Sequence, residues 1–343
     1  MSSPAPLLEV QGLKTHFPVR GGVWLHSVAV CKAVDGVSFQ LMPGETLGLV
    51  GESGCGKSTL GKSIVRLLSP TEGRILFEGT DLAPLSRREI KPIRRHLQMI
   101  FQDPAESLNA RHTVGQILEE PFIIHGLGSA EERRAGVDRL LAKVGLPREA
   151  AHRYPFEFSG GQRQRIGIAR ALALQPRLII CDEPVSALDV SIQSQVLNLL
   201  VDLQREFNLS YLFITHNLAV VKHVSDRIAV MYLGRIVELA DAEVLYARPR
   251  HPYSRALIAA IPEPEPQAAR RRFLGTGDLP SPIDPPPGCP YHPRCPHATE
   301  LCRRQTPPLR ETASAGNRPH LVACHYDLIS AQVPSQYGAV NAP

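Results

Sequence analysis

A glycine-rich stretch at residues 51–59, GESGCGKST, has the residue types and spacing of a loop that binds phosphate groups. It fits the pattern G-x-x-x-x-G-K-S/T, with Gly56, Lys57 and Ser58 at the required positions. Glycines let backbone N–H groups approach phosphate oxygens, the lysine supplies a positive charge, and the serine hydroxyl can ligate Mg²⁺. The residues predicted to bind ATP here are Gly51, Glu52, Ser53, Gly54, Cys55, Gly56, Lys57, Ser58 and Thr59.

The elements on either side of this stretch suit the same chemistry. Residues 46–50 (TLGLV) predict a buried strand, and residues 60–68 (LGKSIVRLL) predict a helix. A helix that begins at the loop points its positive end at a bound anion. A chance glycine-rich turn is the alternative, and the order strand, loop, helix argues against it.

Three more polar residues follow predicted strands. Residues 178–183 (LIICDE) end in Asp182, which can hold Mg²⁺ directly or through water, and Glu183, which can orient the attacking water. Two charges that simply cap a strand are the alternative. His216 follows the apolar residues 211–215, and we favour a γ-phosphate contact over a structural role because ligands gather at strand ends in α/β folds.

A second anion-binding pattern occurs at residues 158–162, FSGGQ, just before an amphipathic helix. Backbone N–H groups, the Ser159 hydroxyl and the helix dipole would converge there. A plain N-cap would explain Ser159 alone, but not the glycines and the glutamine. For stacking on adenine, Phe17 is the candidate and Trp24 the alternative, although ordinary packing would account for either ring equally well.

The remaining patterns suggest how the chain is organised. Residues 7–17 and 33–41 predict strands, and residues 18–30 predict a loop with a Gly-Gly pair. Residues 113–126 and 130–144 predict helices. The stretch at about 103–154 lacks strand signals, so we expect an inserted helical subdomain.

Length and composition suit a globular protein. The 343 residues are enough for one large domain with an appendage or for two domains, and 43% apolar with 21% charged residues is ordinary for a soluble protein. No apolar run approaches the ~18 residues of a membrane span. The N-terminus lacks a basic region followed by an apolar core, so we expect no secretory signal and a cytoplasmic protein.

Four of the seven cysteines, Cys289, Cys295, Cys302 and Cys324, crowd into the end of the chain, after a proline-rich stretch at residues 262–287. Their spacing lacks the tight pairs of structural zinc sites, whereas iron–sulfur clusters take four thiolates at looser spacing. We predict a 4Fe-4S cluster. Zinc, with nearby histidines as further ligands, and a metal-free packed tail are the alternatives.

The motifs GESGCGKST, Gln102, FSGGQ, LIICDEP with SALD, and His216 occur in one order. Over residues 7–262 this order resembles the nucleotide-binding subunit of ATP-binding-cassette (ABC) transporters. Longer stretches, among them FQDPAESLNARHTVGQILEEP, HPYSRALIAAIP and GCPYHPRCPHA, are similar to the ATPase subunit of bacterial oligopeptide or dipeptide importers. Such importers usually contain two different ATPase subunits. The sequences SLN and VSALDVS are more similar to the second of these two subunits.

The resemblance implies an α/β fold: a RecA-like P-loop ATPase core of the ABC type with an antiparallel β subdomain. It also implies an inserted helical subdomain at about 103–165 and a small Cys-rich C-terminal extension. The expected domains are therefore residues 1–262, which form the nucleotide-binding domain, and residues 263–343, which form a proline-rich linker and the extension.

The resemblance also assigns roles. Residues 51–59 correspond to the Walker A motif. Asp182 corresponds to the Walker B aspartate, and Asp189 corresponds to the last residue of the D-loop. The expected catalytic residues are Glu183, His216 and Gln102, and the expected Mg²⁺ ligands are Ser58, Gln102 and Asp182. The signature motif is Phe158 with Ser159, Gly160, Gly161 and Gln162, where phenylalanine replaces the usual leucine.

In such proteins two ATPase domains meet head to tail, so that ATP on one phosphate loop is covered by the signature motif of the other. The implied partners are a second ATPase subunit in a heterodimer, two transmembrane permease subunits and a periplasmic or extracellular substrate-binding protein, without nucleic acid. The chain would lie on the cytoplasmic side of the bacterial inner membrane. The rival hypotheses are an ABC ATPase that acts on nucleic acid or ribosomes, and an importer of nickel chelates.

Overall fold

The computed structural model describes residues 5–21, 26–261, 280–312 and 318–326. The described strands are β1 (Leu8–Gly21), β2 (His26–Leu41), β3 (Thr46–Val50), β4 (Glu72–Phe77), β5 (Thr80–Asp81), β6 (Leu97–Ile100), β7 (Leu178–Asp182), β8 (Ser210–Thr215), β9 (Arg227–Tyr232), β10 (Arg235–Asp241), β11 (Arg310–Thr312) and β12 (His320–Val322). The described α-helices are α1 (Lys57–Ile64), α2 (Arg87–Arg94), α3 (Pro104–Ser107), α4 (Val114–Ile124), α5 (Ala130–Lys143), α6 (Gly160–Leu172), α7 (Val190–Phe207), α8 (Leu218–Val224), α9 (Ala242–Ala247), α10 (Pro252–Ala259) and α11 (Glu300–Arg304). None of these helices is long and apolar enough to cross a membrane.

The larger sheet has the strand order β11-β12-β10-β9-β3-β8-β7-β6. Strands β9, β3, β8, β7 and β6 run parallel, so their carboxyl ends lie at one edge. Side chains of β7 alternate between two hydrophobic clusters, with Ile179 and Cys181 in one and Leu178 and Ile180 in the other. A parallel sheet buried on both faces needs such continuous apolar strands.

The smaller sheet is antiparallel, with the order β2-β1-β4-β5. The prediction of a loop at residues 18–30 was wrong, because β1 continues to Gly21 and β2 begins at His26, and the two strands pair along their length. Residues 22–25, including Trp24, lie outside the described residues. Pro18 is tolerated because the pairing of β1 with β4 has already ended at Lys14, so this part of β1 has only one neighbouring strand.

The segment between β6 and α6 contains only helices and turns in the part of the chain that the structure describes. Helices α4 and α5 begin and end within two residues of the predicted bounds, which confirms both helices. Each begins with a reciprocal capping box, Thr113 with Gln116 and Ser129 with Glu132. Such boxes satisfy two otherwise unpaired N–H groups at a helix start.

The described part of the C-terminal extension packs on the larger sheet. Strand β12 pairs with β10, and β11 pairs with β12. The buried carboxylate of Glu238 in β10 accepts hydrogen bonds from the backbone N–H groups of Arg250 (2.7 Å) and His251 (2.9 Å), and lies 2.7 Å from His320 Nε2. One carboxylate thus joins β10, β12 and the start of α10, while residues 262–279 of the predicted linker lie outside the described residues.

Candidate functional site

A cavity of about 1340 Å³ opens where the parallel strands end. The phosphate loop follows β3, Gln102 follows β6, Glu183 follows β7, and His216 follows β8. The predicted site residues that line this cavity are Ser53, Gly54, Gly56, Lys57, Ser58, Thr59, Gln102, Asp182, Glu183 and His216. Positions far apart in the sequence therefore share one site because parallel strands end at one edge.

The phosphate loop requires glycine at two positions. Gly56 caps α1 with φ of 105°, and a Cβ atom there would lie 1.9 Å from the Ala33 carbonyl oxygen. A Cβ atom on Gly51 would lie 2.2 Å from the Met231 carbonyl oxygen. The backbone of the loop can therefore follow this path only without side chains at these two residues.

Lys57 brings a positive charge into the loop. The residue is only 4% exposed, and its Nζ donates hydrogen bonds to the carbonyl oxygens of Gly51 (2.8 Å) and Glu52 (2.9 Å). A buried ammonium group needs partners of this kind. These carbonyl contacts hold the charge next to the place where phosphate oxygens would bind.

Asp182 and Ser58 fit a Mg²⁺ site. The Ser58 hydroxyl donates a hydrogen bond of 2.7 Å to Asp182 Oδ1, and both residues line the cavity. Burial raises the pKa of Asp182, because a charged carboxylate is poorly solvated there. A hydroxyl and a carboxylate are oxygen ligands of the kind that Mg²⁺ prefers, and a cation beside Asp182 would offset the cost of its buried charge.

The side chains of Gln102 and His216 converge on one carboxylate oxygen of Glu183. Gln102 Nε2 donates to Glu183 Oε2 at 3.2 Å, and His216 Nδ1 lies 3.2 Å from the same oxygen. Glu183 has a left-handed backbone with φ of 47°, which costs about 1–2 kcal/mol for a residue with a side chain. Its N–H donates to the Ile214 carbonyl (2.9 Å), so the neighbouring strand helps to hold this conformation.

The predicted signature motif is not brought to this cavity. Ser159 is exposed and caps α6: its Oγ accepts from the Gln162 N–H, and Gln162 Oε1 accepts from the Ser159 N–H. This capping box accounts for the glutamine that a plain N-cap left unexplained. Gly161 is explained by packing, since a Cβ atom there would lie 2.5 Å from Ile192 Cγ2, but no such contact explains Gly160.

Other predicted contacts also lie outside the cavity lining. Phe17 is 36% exposed and pairs in β1 opposite Cys31, which does line the cavity. Asp189 is exposed at the start of α7. Within the phosphate loop, Gly51, Glu52 and Cys55 are not among the lining residues. Their roles, like adenine stacking by Phe17, stay predictions.

The four cysteines of the extension surround a second, small cavity. Cys289, Cys295, Cys302 and Cys324 line it, and none forms a disulfide. Burial raises the pKa of Cys289 to about 11 and that of Cys295 to about 12, so these thiols stay protonated near neutral pH. Within the described residues, however, no group of three or more His, Cys, Asp or Glu side chains has an arrangement that could hold a metal ion.

Two residues at the phosphate loop were missed by the sequence analysis. Tyr253 Oη accepts a hydrogen bond from the Glu52 N–H (2.9 Å), and Arg294 Nη1 donates to Glu52 Oε2 (2.9 Å). Both belong to stretches that carried the resemblance, HPYSRALIAAIP and GCPYHPRCPHA, although nothing in their local pattern indicated a contact with the loop.

The fold and this cavity define a class of protein, the ATPases in which a phosphate loop lies at the centre of a parallel sheet. The family described as ABC transporter matches residues 34–186, and the family described as oligopeptide/dipeptide transporter, C-terminal region, matches residues 237–302. The chain belongs to the ABC transporter ATP-binding proteins, in the oligopeptide/dipeptide transporter group, and is an ATPase. The resemblance and the α/β P-loop ATPase fold of the ABC type are thereby confirmed.

Relatives and solved structures agree with this assignment. The oligopeptide transport ATP-binding protein AppF of Bacillus subtilis (strain 168) is 54% identical over 322 residues, which cover 93% of this chain and 97% of AppF. The putative oligopeptide transport ATP-binding protein YkfD of the same organism is 53% identical, with 93% and 95% covered. The dimeric bacterial ABC transporter cassette MJ0796 is 28% identical with a TM-score of 0.61, over 68% of this chain and 98% of that one.

The glycine requirement gives a prediction. Gly56→Ala should weaken binding of a fluorescent ATP analogue by at least about tenfold, because the new Cβ atom displaces the loop from the Ala33 carbonyl. Gly79→Ala is the matched control: Gly79 has φ of 79°, but its new Cβ atom would meet no atom within 4 Å, and it lies outside the cavity. The control should lose about 1–2 kcal/mol of unfolding free energy and keep its affinity. Equal affinities for the two variants would contradict this account of the loop.

Proposed function

We propose that this chain is the subunit whose ATP hydrolysis powers a membrane importer of di- or oligopeptides. The proposal rests on one observation: Gln102 and His216 both contact one carboxylate oxygen of Glu183. The hydrogen-bonded pair Ser58 and Asp182 lines the same cavity. The names of AppF and YkfD, both oligopeptide transport ATP-binding proteins, support peptides as the transported substrate.

The residues around the cavity have different roles in ATP hydrolysis. Lys57 exchanges its contacts with loop carbonyls for phosphate oxygens, while the loop N–H groups and the start of α1 bind the remaining negative charge. Ser58 and Asp182, with Gln102 as a third ligand, would hold Mg²⁺, which would supply positive charge to offset that of the phosphates. Glu183 orients and polarises the attacking water, and His216 contacts the γ-phosphate.

The exposed position of Ser159 supports a site completed by a second ATPase domain. The signature residues Ser159, Gly160 and Gly161 do not line the cavity of their own chain. In a head-to-tail dimer they would cover ATP bound to the phosphate loop of the partner. The MJ0796 cassette, whose dimeric structure has been solved, has the same fold and supports pairing of two such domains.

Membership of the peptide-importer family supports the partners that we propose. A second ATPase subunit completes the dimer, and closure of the dimer is passed through Gln102 and the helical subdomain to two transmembrane permease subunits. A substrate-binding protein delivers the peptide on the other side. The chain then lies on the cytoplasmic side of the inner membrane, held there by the permease.

We also propose that Cys289, Cys295, Cys302 and Cys324 hold a 4Fe-4S cluster, with zinc as the alternative. Their common cavity and their free thiols support this, since four cysteine thiolates are the usual ligands of such a cluster. The thiols would have to move closer together and lose their protons on binding. The cluster would cross-link and stabilise a short extension.

Glu183→Gln tests the hydrolytic role. Loss of the carboxylate should lower ATP hydrolysis by about 10²–10⁴-fold in the transporter assembled in lipid vesicles, because one residue that acts as a general base contributes about this much. Peptide uptake into the same vesicles should fall in parallel. Phosphate release and labelled dipeptide uptake are the two measurements.

The control is Glu72→Gln, which removes an exposed carboxylate paired with Lys14 in the smaller sheet. It should hydrolyse ATP at the wild-type rate. Wild-type hydrolysis by Glu183→Gln would refute the role of Glu183. If the wild-type transporter hydrolysed ATP normally but took up no peptide, the proposal of a peptide substrate would be refuted. The assignment of ATPase activity would not be affected.

Iron content tests the cysteine proposal. Protein purified without oxygen should contain about four irons and matching sulfide per chain, with broad visible absorption. Cys295→Ala should lose the iron, whereas Cys31→Ala, a free cysteine outside the small cavity, should retain it. Zinc in place of iron would favour the alternative metal, and protein without either metal would reduce the extension to a packed tail.

A further inference from the structure

The C-terminal extension reaches into the phosphate loop through Arg294. This residue ends a short 3-10 helix at His292–Arg294 and lies next to Cys295. Its guanidinium donates to Glu52 Oε2 at 2.9 Å, with 10% of the Arg294 side chain and 27% of the Glu52 side chain exposed. Glu52 is the second residue of the phosphate loop, so an ion pair that is largely shielded from water joins the two regions.

Tyr253 in α10 holds the same residue through its backbone. The Glu52 N–H donates to Tyr253 Oη at 2.9 Å, and the Tyr253 side chain is buried. The Glu52 carbonyl oxygen in turn accepts a hydrogen bond from Lys57 Nζ. The N–H, the carbonyl and the carboxylate of one loop residue are therefore each engaged, by Tyr253, Lys57 and Arg294.

Aromatic rings fix Arg294 and Tyr253 in place. The Tyr232 ring centroid lies 4.7 Å from that of Tyr253 and 5.3 Å from that of Tyr291, and the latter two are 5.4 Å apart. The Arg294 guanidinium lies 5.9 Å from the ring centroids of both Tyr232 and Tyr291. Packing of this kind restricts the arginine to one position before any ligand binds.

The extension also borders the nucleotide cavity directly. The Lys32 N–H in β2 donates to the Pro282 carbonyl at 3.0 Å. Pro282 lines the cavity together with Cys31 and Ala33. Residues after 279 thus meet the site at the phosphate loop and again at strand β2.

We propose that Arg294 and Tyr253 are positioning residues for nucleotide binding, and that the C-terminal extension is an integral part of the nucleotide site. This rests on the proposed role of the phosphate loop. Arg294 neutralises a carboxylate that would otherwise repel the triphosphate, and Tyr253 fixes the Glu52 peptide so that the loop N–H groups point toward the phosphates without rearrangement. A loop ordered in advance loses less conformational entropy when its ligand binds, and therefore binds it more tightly.

The test is the affinity of the purified full-length chain for trinitrophenyl-ATP with Mg²⁺. Arg294→Ala should weaken binding by about tenfold, because it leaves the carboxylate of the loop residue Glu52 unpaired. Arg294→Lys should restore part of this loss. Tyr253→Phe, which removes only the hydroxyl, should weaken binding several-fold.

A double variant separates positioning from simple support of the fold. If repulsion by Glu52 is the cause, Glu52→Gln in the Arg294→Ala background should recover much of the lost affinity. Loss of folding would instead lower the affinity of both variants and the thermal midpoint together. Steady-state hydrolysis in the assembled transporter should show a raised KM for Arg294→Ala, with kcat near the wild-type value.

Two further variants make the outcome decisive. Arg304→Ala, which removes an exposed arginine of the same extension, should bind nucleotide like the wild type. Lys57→Ala should bind far more weakly; if it binds normally, the proposed nucleotide site itself is wrong. Wild-type affinity in Arg294→Ala would overturn the positioning role of Arg294. A loss of affinity that Glu52→Gln does not reduce would overturn it as well. In either case, weak binding by Lys57→Ala would still show that nucleotide binds at the phosphate loop.

Discussion

The structure depends on placing two charges, the ammonium of Lys57 and the carboxylate of Asp182, where almost no water reaches them. Lys57 is 4% exposed and Asp182 is 2% exposed. Buried charges are costly unless they are paired or hydrogen-bonded, and here loop carbonyls and the Ser58 hydroxyl supply the partners. Such an arrangement suits a ligand that brings both an anion and a cation, as ATP with Mg²⁺ does.

The rest of the fold keeps these two charges together. Strands β3 and β7 flank β8 in the parallel sheet, and their carboxyl ends deliver the phosphate loop and Asp182 to one edge. Glu183, at the same edge, has a left-handed backbone with φ of 47°. The sheet, covered on both faces by apolar side chains, is the rigid support that holds this residue in an unfavourable conformation.

Much of this site could be predicted because its determinants are local: glycine spacing, and apolar strands that end in polar residues. Residues 18–21 and 26–30 of the paired strands β1 and β2 were wrongly predicted as parts of a loop, because pairing between strands overrides the loop signal of Pro18 and Gly21. Contacts of Glu52 with Tyr253 and Arg294 join positions 201 and 242 residues apart, and no local pattern encodes them. The capping role of Gln162 was missed because the signature motif drew attention to nucleotide binding alone.

Light-induced cleavage with bound vanadate is the most direct test of the proposal that the nucleotide site is shared between two chains. Vanadate with Mg-ADP takes the place of the γ-phosphate, and ultraviolet light then cuts the backbone beside it. In the assembled transporter we expect cuts in this chain both at residues 51–59 and near Ser159, whereas the isolated chain should be cut in the phosphate loop alone. An assembled, active transporter that is never cut near Ser159 would contradict the account.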